Sequence, residues 1–341
     1  MAESVEYDAV GNRFLAGSDM TSIVEIDTLG NFSYFGEGLT SNLGMEIMQG
    51  HLFSIVGQDM INVYDLETEL LISSVTITGA QFLNGMASNG ISKLWVTDFV
   101  GRAIYELDFS NLSEATYTAL AGMAEIPNLP NGIIYDEANN RLVFVSWNDG
   151  VIRQLDLEDN SVNVVIEDLE ISNMDGIDMD SQNNYYVASW SPESRITKFS
   201  SDFSESEILD IPGISNPADI CIANEINLLA IPSFQHDVIF WPLEETTTGN
   251  TNIEQSNSNN IDIFPNPSNG KFFVQITNQQ WTQVGCQLID ARGVSLNKWT
   301  FQHNQMNGLE LDLSAYPDGL YTLSISIDGG VKETRNVILA K

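Results

Sequence analysis

The chain has 341 residues, 43% of them hydrophobic, and a formal charge of −34 from 47 acidic and 13 basic residues. That is apolar material for more than one core, which excludes a wholly disordered polymer, and the acidity repels nucleic-acid phosphates and anionic membrane surfaces. No run of 18 apolar residues is present to span a bilayer as a helix, and two cysteines in different segments, Cys221 and Cys286, argue against a disulfide framework.

Six related segments follow one another from the N-terminus: Glu3-Ser-Val-Glu-Tyr-Asp, Leu43-Gly-Met-Glu-Ile-Met, Asn84-Gly-Met-Ala-Ser-Asn, Asn131-Gly-Ile-Ile-Tyr-Asp, Asp175-Gly-Ile-Asp-Met-Asp and Ala218-Asp-Ile-Cys-Ile-Ala. Their first residues stand 40, 41, 47, 44 and 43 positions apart, the spacing of propeller blades built from four short strands. Equivalent positions in a propeller form a ring, so Glu3, Asn84, Asn131 and Asp175 are expected to converge. Two carboxylates and two amide oxygens suit a hard divalent cation, calcium first.

Inside each repeat, alternating stretches such as Arg141-Leu-Val-Phe-Val-Ser and Val151-Ile-Arg-Gln-Leu-Asp predict half-buried strands separated by turn clusters. Asp27, Asp65, Asp108 and Asp156 recur after the third strand of a repeat and are expected to form turns. Trp147 and Trp190 share an offset in adjacent repeats, each after a serine. Side by side they would form an apolar wall for a ligand with a greasy or sugar face, or pack between blades.

The sixth repeat, from about Ile214 to Pro242-Leu-Glu-Glu, has room for three strands at most. Met1 leads almost at once into the first inner strand, so the expectation is that upstream residues supply both a closing strand and a signal peptide. Residues 246 to 260 are almost purely polar and read as a flexible linker. Residues 261 to 341 then form a compact all-β pattern rich in Pro and Gly turns, as expected of a sandwich. Charge divides at the same boundary: residues 1 to 245 hold 39 acidic and 7 basic residues, residues 261 to 341 hold 7 and 6.

The C-terminal segment carries Phe264-Pro-Asn-Pro-Ser-Asn-Gly270, Leu288-Ile-Asp-Ala-Arg-Gly293, Asp318-Gly-Leu-Tyr321 and Asn336-Val-Ile-Leu. In that order these resemble the type A C-terminal sorting domain of the Bacteroidetes type IX secretion system. The resemblance implies an immunoglobulin-like sandwich, interaction with the type IX machinery through residues 261 to 341, and a protein released or held at the cell surface.

Residues 1 to 245 resemble the SMP-30/gluconolactonase/LRE-like propellers, and more distantly the paraoxonases, through the Asn131-Gly-Ile and Asp175-Gly-Ile signatures and the ligand order Glu3, Asn84, Asn131, Asp175. The resemblance implies a bound divalent ion, with Asn84 also orienting substrate and Asp175 acting as base. Sugar-lactonase members carry Arg two residues before the Asn matching Asn84, where this chain has Phe82, which puts aldonolactone specificity in doubt. Paraoxonase-like members use a histidine near the metal. His236, in the loop joining the second and third strands of the sixth repeat, is the catalytic candidate of that kind. Two functions stay open: a secreted calcium-dependent hydrolase of lactones or esters acting on a small molecule, and a non-catalytic propeller that captures a glycan or protein ligand around a structural calcium.

Overall fold

The computed structural model describes residues 2–18, 21–27, 31–36, 38–41, 43–234, 238–243, 260–264, 268, 270–277, 282–289, 295–302, 309–317, 319–327 and 332–339. The chain divides into two compact units, one of Met1–Glu25 and Phe32–Glu244, the other of Ile26–Asn31 and Glu245–Lys341. The linker expected at 246 to 260 lies outside the described residues except for Asn260.

The first unit is a six-bladed propeller of antiparallel sheets, each strand pairing with the next in sequence. Blade one holds Val5–Asp8, Arg13–Ser18, Ser22–Asp27 and Phe32–Tyr34; blade two holds Met45–Met48, His51–Val56, Met60–Asp65 and Leu71–Thr76. Blade three holds Leu83–Ser88, Lys93–Asp98, Ala103–Asp108 and Thr116–Ala121; blade four holds Leu129–Asp136, Arg141–Trp147, Ile152–Asp156 and Val162–Ile166. Blade five holds Ser172–Met179, Tyr185–Ser191, Arg195–Phe199 and Ser206–Leu209; blade six holds Cys221–Ala223, Leu228–Pro232 and Val238–Pro242. The first strands lie innermost: each packs against the first strand of the next blade, and the sixth returns to the first. Among the described residues blade six has three strands, so Val238–Pro242 is an edge.

The second strands are buried on both faces, not half-buried as the alternation suggested. In Arg141–Trp147 only the terminal residues keep solvent contact. Blades pack face to face, so a residue turned away from one neighbour meets the other. Leu142 and Phe144 pack with Trp95 and Ile104 of blade three, while Val143 and Val145 pack with Tyr185 and Val187 of blade five. Solvent reaches the outer strands, such as Leu71–Thr76. The expected turn aspartates do cap bends: Asp65 accepts from Thr68 N at 2.7 Å, Asp108 from Ser110 N at 2.8 Å and Asp156 from Glu158 N at 2.7 Å.

The second unit is a two-layer β-sandwich. One sheet orders Asn260–Phe264, Lys271–Thr277 and Leu309–Asp312; the other orders Ser295–Gln302, Gln283–Ile289, Gly319–Ile327 and Lys332–Leu339. Phe272, Val274, Leu309 and Leu311 of the first face Val284, Cys286, Leu288, Leu323 and Ile325 of the second across a single core. Both cysteines are free and buried.

One ionic staple joins blades four and five. Asp136, at the end of the inner strand, accepts hydrogen bonds from Arg141 Nε (2.7 Å), Asn139 Nδ2 (2.7 Å) and, across the blade boundary, Tyr185 Oη (2.7 Å). Burial alone would raise the Asp136 carboxyl, but these donors outweigh it and hold the group below the usual carboxylate range. Removing it strands the partly buried Arg141. Asp136→Ala is expected to lower the unfolding free energy by about 3 kcal/mol, read from urea denaturation; a change under about 1 kcal/mol would contradict the staple.

Candidate functional site

The inner strands of blades three, four and five share a defect. Where Asn84-Gly85, Asn131-Gly132 and Asp175-Gly176 occur, two residues stand opposite one on the second strand, the pairing resuming at Met86, Ile133 and Ile177. These are β-bulges, which bend a strand and re-aim one side chain. Asn-Gly is foremost a hairpin-turn signal, yet neither Asn-Gly pair makes a hairpin turn here. The glycines are required for space. A Cβ on Gly85 would stand 2.5 Å from Asn131 O, on Gly132 2.6 Å from Asp175 O and on Gly176 2.7 Å from Ala218 O, each on the neighbouring blade. Backbone bonds knit the same ring: Gly44 N donates to Asn84 O at 3.0 Å, and Asp219 N donates to Glu3 O at 3.0 Å.

The structure therefore places Glu3, Asn84, Asn131 and Asp175 at equivalent positions of the inner ring, all buried. Asn131 Nδ2 donates to Asp175 Oδ1 at 2.9 Å and to Met174 O at 3.3 Å, which orients its amide. Its Oδ1 has no hydrogen-bond partner, and neither has Glu3 Oε2. Buried oxygens without donors are costly. Burial, followed by the charges of Asp175 and Asp219, pushes Glu3 up to about 9, and burial pushes Asp175 up to about 7 against the bond from Asn131. An ion set between them would meet the unpartnered oxygens and reverse both shifts. Among the described residues no group of three His, Cys, Asp or Glu side chains is placed to hold a metal. Asparagine oxygens and water would therefore have to complete the coordination.

A second acidic level follows. Three residues after the ring positions, blades one, two and five carry Glu6, Glu46 and Asp178, and with Asp219 they line a cavity of about 220 Å³ beside Met86, Ile177 and Cys221. Burial pushes Glu46 up to about 8 despite a 3.0 Å bond from Ser88 Oγ. It pushes Asp178 to about 7 despite bonds from Ile222 N and Met179 N. Glu6 is raised well above the usual range by burial, Glu46 and Asp178. Sequence reasoning missed this level, although the aligned repeats show an acid at that offset in three of six segments.

The two tryptophans do meet. Trp147 and Trp190 lie edge to face with centroids 4.9 Å apart, and Trp190 continues to Phe234, also at 4.9 Å. Trp190 Nε1 donates to Pro217 O at 2.7 Å, which fixes the middle ring. Phe234 was not anticipated because blade six replaces the Ser-Trp pair by Ser233-Phe234. In blade three, Asp98 accepts from Gln81 N and Phe82 N as well as Gly101 N, binding the loop after the second strand to the segment leading into the inner strand. Phe82 packs edge-on against Phe99. His236 lies outside the described residues.

Residues 262–340 match the family described as Secretion system C-terminal sorting domain. The chain ends in a secretion signal. This tail addresses the protein to the type IX machinery, for secretion or display at the cell surface. No curated protein matches the chain. Among solved structures, the nidogen/laminin complex aligns with a TM-score of 0.56 at 13% identity, covering 68% of this chain and 89% of that one. A Bacteroides thetaiotaomicron protein of unknown function aligns at 0.55 and 14%, covering 70% and 69%. The WD40 propeller domain of Doa1 aligns at 0.54 and 14%, covering 72% and 79%. At these identities the likeness shows the β-propeller fold alone. Among the described residues no helix is long and apolar enough to cross a membrane.

The acidic levels give stability a definite pH dependence. Carboxyls raised in the folded state bind more protons than in the unfolded chain, so their stabilisation is full below the unfolded value. It is lost as pH rises through about 7 to 8, the folded positions of Asp178 and Glu46. In chelator, the propeller's melting temperature is expected to fall between pH 5 and pH 9, and Glu46→Gln to reduce that fall by at least about 3 °C. A flat profile in both proteins would contradict the buried acids.

Proposed function

We propose that this exported propeller holds a hard divalent cation, calcium before others, in the ring of Glu3, Asn84, Asn131 and Asp175, and hydrolyses a lactone or ester beside it. The observation that carries the reading is the pair of buried, unpartnered oxygens, Glu3 Oε2 and Asn131 Oδ1, flanking Asp175. The ring agrees in residue type and order with the SMP-30/gluconolactonase-like propellers it resembles. Bound there, the ion would supply Lewis acidity towards a carbonyl oxygen. The chain's own groups do the rest: the Asn131 amide is locked by its bond to Asp175, Asn84 orients the substrate, and Asp175 accepts a proton from water. Phe82, packed against Phe99, stands where sugar-lactonase members carry arginine, which argues against an aldonolactone substrate.

A second reading keeps the ion structural and gives the protein a binding task. The file of Trp147, Trp190 and Phe234 favours it, since three apolar rings at the rim suit the face of a glycan or peptide.

Two outcomes separate these. Calcium is expected to raise the melting temperature of the full chain and EDTA to lower it, and Asp175→Ala to abolish the response; superimposable melting curves with and without chelator would remove the cation. Asn131→Asp is expected to keep calcium while losing most of kcat on whichever lactone or ester is turned over, because added charge damps the ion's acidity. A calcium-loaded wild type inert on a broad lactone and ester panel would transfer the conclusion to the binding reading.

For export, deleting residues 261 to 341 from a leader-bearing precursor, in a host with the type IX system, is expected to retain the propeller in the periplasm. Unchanged release into the medium would refute the role of the tail.

A further inference from the structure

Blade six breaks the pattern of the ring. At the ring position it carries Ala218, and at the next position, where blades two to five have Gly44, Gly85, Gly132 and Gly176, it carries Asp219. The backbone of Asp219 sits between the backbones of Glu3 and Gly176. Its N–H donates to Glu3 O at 3.0 Å on one side, and its Cα lies 2.8 Å from where a Cβ on Gly176, next to Asp175, would stand on the other. Asp219 lines the acidic cavity with Asp178 and Glu46. It thus adjoins both acidic levels: its charge raises Glu3, and burial followed by the charges of Asp175, Asp178 and Glu46 raises its own carboxyl well above the usual range.

The charge count follows. With an ion bound, ionised Glu3 and Asp175 carry −2, which one divalent ion cancels, and an ionised Asp219 brings the three to −3. Glu3 is 91% buried and Asn131 98% buried, and each turns an unpartnered oxygen to the same ring, so the acidity is built around a place for a ligand. Among the described residues no three carboxylates stand where they would coordinate together. Asp219 therefore acts through its field.

Resting on the cation reading above, we propose that Asp219 is an outer carboxylate that sets the charge of the ring site at −3 and tunes it to cations of charge two or more. Coulomb attraction scales with the charge of the ion, so a lost outer charge penalises a trivalent ion half as much again, on a logarithmic scale, as a divalent one. A change in the shape of the site carries no such proportionality.

The test uses the full chain, with calcium affinity from calorimetry and terbium affinity from luminescence. Asp219→Asn is expected to weaken calcium by about 10-fold and terbium by about 30-fold, and Asp219→Glu to keep the wild-type ratio. Should Asp219→Asn fail to fold, Asp219→Ser replaces it, because Ser4 occupies the equivalent position of blade one. Equal loss of both ions, or no loss of either, would overturn the role of Asp219 while leaving the cation site standing. A wild type that binds neither ion would overturn the cation reading itself.

Discussion

The closeness of the six inner strands is the constraint on which the rest of this molecule depends. They approach until the α-carbon of one blade meets the carbonyl of the next, and only residues without a side chain fit at the contact of four blades. A bulge beside each of three such contacts turns the preceding Asn or Asp out of the ladder. Glycine is thus the steric condition for a ring of oxygens small enough to share one ion or one proton.

That geometry sets hydrophobic and electrostatic terms against each other. Between the blades the core is continuous, with residues such as Phe53, Phe144 and Tyr185 fully enclosed. Along the axis the same packing buries Glu3 and Asp175 and half-buries Glu6, Glu46, Asp178 and Asp219, carboxylates that repel one another. Backbone N–H groups bonded to Asp178 and the Ser88 hydroxyl bonded to Glu46 offset part of the cost of these carboxylates. These groups detract from the stability that the blades supply, a common cost where a site must be charged.

The fold was legible because its periods are strong. The spacing of six segments marks the blades, and the three described strands of blade six fit the few residues before the polar stretch at 246 to 260. The ring was legible in part. Asn84, Asn131 and Asp175 stood out because an amide or acid preceded glycine at a repeated offset, and Glu3 because it holds the same offset in the first repeat, but nothing local distinguishes a bulge from a turn, since both favour Asn-Gly. Glu6, Glu46 and Asp178 were hidden among many surface acids, and only the position of each within its repeat separates them. Asp219 was obscured further, because its blade shifts the polar residue by one. Burial on both faces of the second strands also escaped the alternation, because alternate residues there face two different blades.

The ring crosses the seam of the propeller. Blade six meets blade one through the bond from Asp219 N to Glu3 O, the bond from Ala2 N to Ser233 O at 3.3 Å, and the ring contact of Phe14 with Phe240 at 4.8 Å. Each joins the start of the chain to its sixth repeat, among the greatest sequence separations the propeller contains. Contacts of that kind form late, since the loop they close must first be ordered. Glu3 belongs to the first blade and Asp175 to the fifth, so the oxygen ring exists only after the circle has closed. A half-folded propeller has no such ring, and any ion it gathers would act as a clasp on the finished circle rather than as a seed for it.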